Sequence, residues 1–339
     1  MPTTLTLDEV ESLSYRMLTA SGATPLQAGP TARSIRDGEA DGIRNVALGY
    51  LPTYCDHLAV GKVVRNAVPT METPRPGVVH VDAKLGFAHP AFLFGLEPLI
   101  QATTACGIGV LTVSHSYSAG ILGWFVERVA SAGHISMMFA NSSPAMAPYG
   151  GAVPFFGTNP LAWAVPRQSG PPLVADLSSS HTAWVNVKAA AEKNESIPLG
   201  WALDAEGQPT TDPAVGLAGS MAPSGGHKGS AFALLVDLLA GGVTASNFSH
   251  EASSFGGTDG GPPNVGQVVI AIDPSVSSPA FLDRVEHELT AMSSQPGVRL
   301  PGDRRIAFRS AAEAHGVEVP DDLMATLNEY AANGSPARA

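Results

Sequence analysis

The turn Gly225-Gly226-His227-Lys228-Gly229 stands directly before the apolar run Ser230 to Ala240, in which Asp237 is the only charged residue. Such a run predicts an interior helix with the turn at its N-terminus. The first N–H groups of a helix lack intrahelical partners and carry the positive end of its dipole, so the place suits an anion. Lys228 adds a full positive charge, and the glycines let the backbone approach closely. The spacing is not that of a Walker loop. A plain turn with a solvated lysine has the same spacing, so the rest of the chain must decide.

Four more polar clusters fall at the ends of apolar runs. "VSHSYSAG" presents His115, Ser116, Tyr117 and Ser118; "ANSSPAMAPYGG" presents Asn141 and Ser142. Thr158 and Asn159 precede Pro160, and "VADLSSS" places Asp176 and Leu177 before Ser178, Ser179 and Ser180. Hydroxyls and N–H groups at such points either cap helices or bind anions. His57, His80, His89, His134, His250, His287 and His315 show no partner spacing. No H-E-x-x-H or C-x-x-C occurs, so no metal centre is expected, and the absence of G-x-S-x-G argues against a serine hydrolase.

The net charge of -11 argues against nucleic acid or an anionic membrane as partner. It leaves small anions possible at a local cationic pocket. Cys55 and Cys106 form neither a metal pattern nor a disulfide framework, which suits a reducing cytoplasm. The acidic opening "MPTTLTLDEVESL" does not read as a signal peptide, and no apolar run is long enough to span a bilayer.

The elements that must position these clusters follow from periodicity. Thr6 and Glu9 make a capping box ahead of Val10, Leu13 and Met17. Further helices are predicted after Thr24-Pro25, over "YLPTYCDHLAVGK" closed by Gly61, over "AGILGWFVERVASAG" and over "AWVNVKAAAEKN". "PAFLDRVEHELTAMSS" and "PDDLMATLNEYAAN" read as the last two. Strands are predicted at "GVVHVD", "GIGVLTVS", "HISMMFAN", "LAWAVP", "PLVADLS" and "QVVIAIDP"; Val63 to Pro76 reads as irregular, and "FGGTDGGPPNVG" as a mobile loop. Strands and helices do not alternate regularly, and no G-x-G-x-x-G follows an early strand. The class is α+β, with a mixed or antiparallel sheet and flanking helices.

Taken together and in this order, the clusters resemble the malate/L-lactate dehydrogenase family of the non-Rossmann type. That family includes ureidoglycolate, sulfolactate and diketogulonate dehydrogenases and piperideine-2-carboxylate reductases. "IPLGWALDAEGQPTTDP", "GGHKGSAFALLVDLLAG", "NVGQVVIAIDP" and "RLPGDRR" add to the likeness, which runs from about the first helix to Arg305. The resemblance implies a nucleotide-binding fold of the family's own, a homodimer, and NADPH or NADH as cofactor. It implies that Asp176 to Ser180, His227, Lys228, Gly302, Asp303 and Arg304 line the coenzyme site. Asn141 and Ser142 would border the nucleotide, with Thr158 and Asn159 at the inner end of the cleft. Residues 1–120 with 280–339 would form a helical substrate and dimerisation domain, and 121–279 the nucleotide-binding domain.

The likeness breaks at one place. The family's Gly-Ile-x-Ser-His-Gly-Val motif, with an arginine soon after, reads here "DGIRNVALGYLPTY". Asn45 stands for the serine, Val46 for the histidine that serves as proton donor in many members, and Tyr50 for the arginine that can hold a substrate carboxylate. Valine cannot move a proton, and tyrosine offers one hydroxyl and no charge. Three readings follow. His115 takes over the proton role, supported by the resemblance and by an ordinary pKa near 6.5. Or the substrate is an iminium that brings its own proton. Or the scaffold has left redox chemistry and serves as a lyase, isomerase, cyclase or binding protein. The reading adopted is a reductase of a C=O or C=N, a ketone or cyclic imine, in a small specialised biosynthetic metabolite.

Overall fold

The structure, a computed structural model, describes residues 2–337. A short strand β1 (Thr3–Leu5) leads into α1 (Leu7–Ala20), α2 (Pro25–Ala40) and α3 (Leu51–Ala59). The capping box forms: Glu9 N donates to the Thr6 hydroxyl at 3.2 Å, and Thr6 N to the Glu9 carboxylate at 2.7 Å. The central segment holds β2 (Thr70–Arg75), β3 (Val78–Asp82), α4 (Ala88–Cys106), β4 (Ile108–Ser116), α5 (Leu122–Ser131), β5 (Ile135–Ala140), β6 (Leu161–Val165) and β7 (Leu173–Leu177). A smaller lobe follows with α6 (Trp184–Glu192), β8 (Ala202–Leu203), β9 (Pro209–Thr210), α7 (Pro213–Ala218), β10 (Ser220–Met221) and α8 (His227–Asp237). The last described elements are β11 (Val265–Ile272), α9 (Phe281–Ser293), α10 (Asp303–His315), β12 (Val317–Val319) and α11 (Asp321–Asn333).

Seven strands form one sheet in the order β2-β3-β4-β11-β5-β6-β7. Only β3 and β4 run parallel; every other neighbouring pair is antiparallel. The sheet is mixed and the class α+β. The register puts several chain turns at one end of it. Ser116 faces Val265, Gln267 faces Ala140, Phe139 faces Leu161, and Leu161 faces Leu177. The loops after β4, β5 and β7 and before β6 and β11 therefore converge on a single rim. The expected domain division at 120/121 runs through this sheet, which takes β2 to β4 from one side of it and β5 to β7 and β11 from the other.

Two large cores flank the rim. One joins α1, α2 and α3 to the C-terminal helices through Val10, Met17, Leu51, Leu327 and Tyr330. The other lies between the sheet, α4 and α5, around Val81, Phe92, Leu111, Phe125 and Val269. The buried ion pairs of Arg305 and Arg309 with Asp41 and Glu127, at 2.7 to 3.2 Å, bind α10 to the end of α2 and to α5.

Two local expectations are corrected, and one helix had no counterpart among the predicted elements. Residues 70–75, read as irregular, form the edge strand β2, where an internal proline such as Pro74 is tolerated. The 19-residue helix α4 carries Pro98 inside it and packs closely on the sheet; a Cβ on Gly95 would stand 2.6 Å from Leu111 Cδ1. Its prolines and glycine hid it from periodicity. Helix α8 is not interior: it buries Gly229, Ala233, Val236 and Asp237, while Phe232 is 56% and Leu235 46% exposed. Apolar residues on all sides suggest burial, but the fold covers only one face.

Candidate coenzyme and substrate site

A cavity of about 430 Å³ opens at the rim of the sheet. Asn45, Val46, Tyr50 and Tyr54 line it from the first turn of α3 and the segment before it. Ser118 and Gly120 come from the β4–α5 loop, Ser142 to Ala145 from the loop after β5, and Thr158 from the loop before β6. Trp184 and Lys188 of α6 and the loop residues Ser254 to Gly256 complete the wall. Among the described residues no histidine and no carboxylate lines the cavity, and Lys188 is the one charged residue of its wall. Lys188 is about half-exposed, 3.8 Å from Glu192 and 5.8 Å from the centre of the Trp184 ring.

Of the expected coenzyme residues, Asn141, Ser142 and Thr158 line this cavity, and the serine segment with the α8 turn adjoins it. Ser179 N donates to Thr158 O at 2.8 Å, and Ser179 Oγ to Asn159 O at 2.7 Å, which joins the end of β7 to the loop before β6. Ser224 N donates to Ser179 O at 2.9 Å, so the serines also touch the turn that starts α8. There His227 and Lys228 are partly or fully exposed, and no acidic side chain among the described residues pairs with Lys228. Gly225 and Gly226 have φ of +62° and +63°, where a Cβ is strained. Gly302 (φ +91°) lies against β7, with a Cβ position 3.4 Å from Val174 O. It starts α10, where Asp303 caps Leu300 N at 2.8 Å and Arg304 lies over Phe308. Asp176 accepts from Gly123 N at 2.8 Å, at the N-terminus of α5. The residue keeps solvent-facing surface, yet its carboxylate is enclosed: burial raises its pKa to about 6 against the lowering effect of the Gly123 and Leu122 N–H groups.

Asn141 lines the cavity and Asn159 lies behind it, and the amides of both are taken up by the protein. Asn141 Nδ2 donates to Asp237 Oδ1 at 2.9 Å and to Asn247 O at 2.8 Å, while its oxygen accepts from Gly266 N. Asn159 Nδ2 donates to Ala233 O at 3.0 Å, and its oxygen accepts from Ser249 Oγ and Ser142 N. Both amides are committed to the interior and tie α8 to the strand ends.

His115 is the residue the structure does not bring to the cavity. The β4–β11 pairing slips at this point, and His115 adopts φ +47°. A bulge of this kind re-aims a side chain. Its Nδ1 stands 3.2 Å from Asp82, itself bound to Lys84, and the imidazole is 41% exposed.

Sequence reasoning missed Lys188, Tyr54 and the Ser254–Gly256 wall, and it dismissed His57. His57 Nδ1 makes a short contact with the Tyr117 hydroxyl, and Nε2 lies 3.0 Å from Gly257 O. With Tyr117 donating, the Nε2–H tautomer satisfies both contacts. Burial, then the Lys62 charge, lowers the His57 pKa to about 4. Tyr50 donates to Phe255 O at 2.9 Å, and burial raises its pKa to about 12. Tyr117 is core rather than pocket wall, and Phe155 stacks on His250.

Residues 5–328 match the sequence profile of the family described as malate/L-lactate dehydrogenase. The chain belongs to that family. It is an NAD(P)-dependent oxidoreductase, which decides between the redox and non-redox readings of Val46 and Tyr50. A (2R)-3-sulfolactate dehydrogenase (NADP(+)) of Chromohalobacter salexigens is 42% identical, covering 96% of this chain and 98% of the relative. A Δ1-pyrroline-2-carboxylate reductase of Ancylobacter novellus is 38% identical over 98% of this chain and 99% of its own. The crystal structure of Δ1-piperideine-2-carboxylate reductase from Pseudomonas syringae superposes with a TM-score of 0.92 at 34% identity, covering 97% and 99% of the two chains. The donors at the rim fit a nicotinamide coenzyme: an unpaired lysine, an arginine, serine hydroxyls and helix-end amides suit a diphosphate. Among the described residues no group of side chains could hold a metal ion, and no helix is long and apolar enough to cross a membrane.

Proposed function

We propose that this enzyme reduces the C=N bond of a small cyclic imine bearing a carboxylate, with NADPH or NADH as reductant. The observation that carries the reading is the cavity wall, which has no histidine, aspartate or glutamate. A ketone reduced there would leave an alkoxide without a nearby acid, at a cost of about a hundredfold or more in rate. A protonated imine takes up hydride and becomes an amine without a further proton. When bound, the coenzyme supplies the hydride. Lys228, Arg304 and the amides at the start of α8 hold its phosphates. Lys188, the one cation of the wall, receives the substrate carboxylate in place of the absent arginine. The relatives that reduce pyrroline-2-carboxylate support this choice.

The exposed apolar face of α8, with Phe232, Leu235 and Leu238, supports pairing with a second copy of the chain. Two unpaired cysteines support a reducing, cytoplasmic setting. The test follows nicotinamide absorbance with Δ1-pyrroline-2-carboxylate, Δ1-piperideine-2-carboxylate, 3-sulfopyruvate, oxaloacetate and pyruvate. The imines are expected to exceed the keto acids in kcat/KM by about a hundredfold. Lys188→Ala should raise KM for the imine about threefold to tenfold with kcat little changed. Keto acids reduced as fast as the imines overturn the proposal.

A further inference from the structure

Lys62, just beyond α3, is 1% exposed. Its ammonium donates to three main-chain carbonyls of one loop: Ser254 O at 2.6 Å, Gly257 O at 2.9 Å and Asp259 O at 2.6 Å. These bonds use all three of its donors. No carboxylate oxygen among the described residues lies within ion-pair distance of it, although the charge of Asp259 in the same loop favours the ammonium; the direct contacts are all to carbonyls. Three converging carbonyls at such distances are the environment that replaces the water shell of a monovalent cation. Residues 50, 57 and 62 all grip the same loop, since Tyr50 binds Phe255 O and His57 binds Gly257 O. The loop is otherwise glycine-rich, with Gly260 and Gly261 at positive φ, and its composition predicts mobility. It is instead anchored. Its first residues, Ser254, Phe255 and Gly256, form a wall of the cavity.

We propose that Lys62 is a positioning residue for the reaction: its ammonium serves as a built-in cation that fixes the Ser254–Asp259 loop and thereby the substrate-facing wall. This rests on the cavity being the substrate site, and the loop cannot leave without stranding a buried ammonium. The carbonyls converge on the charge rather than on the lysine stem, so a free cation of similar size should replace it.

The test compares wild type with Lys62→Ala and Lys62→Met by amide hydrogen exchange and by kinetics with Δ1-pyrroline-2-carboxylate and NADPH. Both variants should speed exchange at Phe255 and Gly256, whose amides donate to Ser143 Oγ and Ser254 Oγ, about tenfold or more, the scale set by losing the charged donor that fixes the loop. Exchange in β4, β5 and β11 should stay unchanged. Ammonium or potassium chloride should restore protection in Lys62→Ala, and tetramethylammonium chloride at the same concentration should not. Lys62→Met keeps the packed stem, fills the cage and should respond to no salt; it also answers the question if the alanine variant does not fold. Where the imine is turned over, KM should rise about tenfold with kcat nearly constant, a split expected of lost ground-state binding. Should wild type ignore the imine, the exchange arm still reads the clasp, and only the substrate assignment falls. Wild-type loop exchange in Lys62→Met overturns the proposal. So does loosening spread evenly over the sheet, or equal action of all three salts.

Discussion

Gly229 is where space, rather than conformation, should control the proposed coenzyme site. It lies in the first turn of α8, and a Cβ there would stand 2.3 Å from Ser224 O, 2.6 Å from Ser224 N and 2.7 Å from Ser179 O. All three are backbone atoms, so no rotamer change relieves them. Either the first turn of α8 or the Ser178–Ser180 segment must move, and both carry groups assigned to the coenzyme phosphates. Overpacking typically costs about 1–3 kcal/mol, and three backbone clashes place Gly229→Ala at the upper end, about 3 kcal/mol. For a chain of this size that lowers Tm by about 5 °C. Separating the helix-end amides from the serines should weaken NADPH binding about tenfold or more. Gly225→Ala is the control: nothing lies within 4 Å of its Cβ position, but its φ is +62°. Its cost is the left-handed conformation alone, about 1 kcal/mol. Calorimetric titration with NADPH and thermal melts of both variants separate the two effects. If Gly229→Ala binds and melts like wild type, or if the two variants behave alike, the contact between α8 and the serine segment is not what builds the site.

Stability should fall on mild acidification. Burial holds His57 at about 4 and His89 at about 3 against an ordinary 6.5, so unfolding takes up protons below that value. The stability these neutral rings provide is present above pH 6.5 and lost as pH falls towards 4. Asp176, raised to about 6, acts in the opposite sense: its contribution is complete below the ordinary carboxylate range and lost as pH rises through 6. Asp176→Asn should therefore steepen the acid loss between pH 6 and 4 in urea titrations, and an unchanged slope contradicts this. Glu127→Ala leaves the guanidinium groups of Arg305 and Arg309 sharing Asp41 alone, and should cost about 3 kcal/mol, as broken buried pairs do. An unchanged urea midpoint would show that the network contributes nothing.

The sequence made legible what depends on local pattern. Six strands of the large sheet and the capped α1 follow from alternation and from Thr6 and Glu9, because those signals lie within a few residues. Helix α4 was hidden because Pro98 and Gly95 break the pattern that its packing against Leu111 and Val81 sustains. The rim proposed for the coenzyme showed in the sequence only as scattered turns; the antiparallel register that gathers them is non-local. His115 misled because a bulge residue cannot be told from a strand residue by composition. Lys62 and His57 were invisible for a related reason, since their partners are carbonyls some 200 positions away, and a carbonyl leaves no trace in residue type.

Tyr50 decides how far the altered motif can be repaired from within. It stands where an arginine is expected, lines the cavity and carries a hydroxyl, so it is the natural substitute acid. Two observations speak against that role. Its proton is spent on Phe255 O at 2.9 Å, and burial pushes its pKa to about 12, where proton release to a substrate is unfavourable near neutrality. Val46 offers no proton, and the amide of Asn45 orients but does not acidify. Tyr50 gives its hydroxyl to the loop, in the same clasp as His57 and Lys62. On the proposed reading the loop anchor concerns the arginine position alone, and the missing acid concerns Val46. Putting histidine at 46 would return an acid without disturbing the wall, whereas putting arginine at 50 would unseat Phe255. Val46→His alone should thus gain turnover of keto acids, and a gain seen only when Tyr50→Arg is added would show that the missing acid is not what limits their reduction.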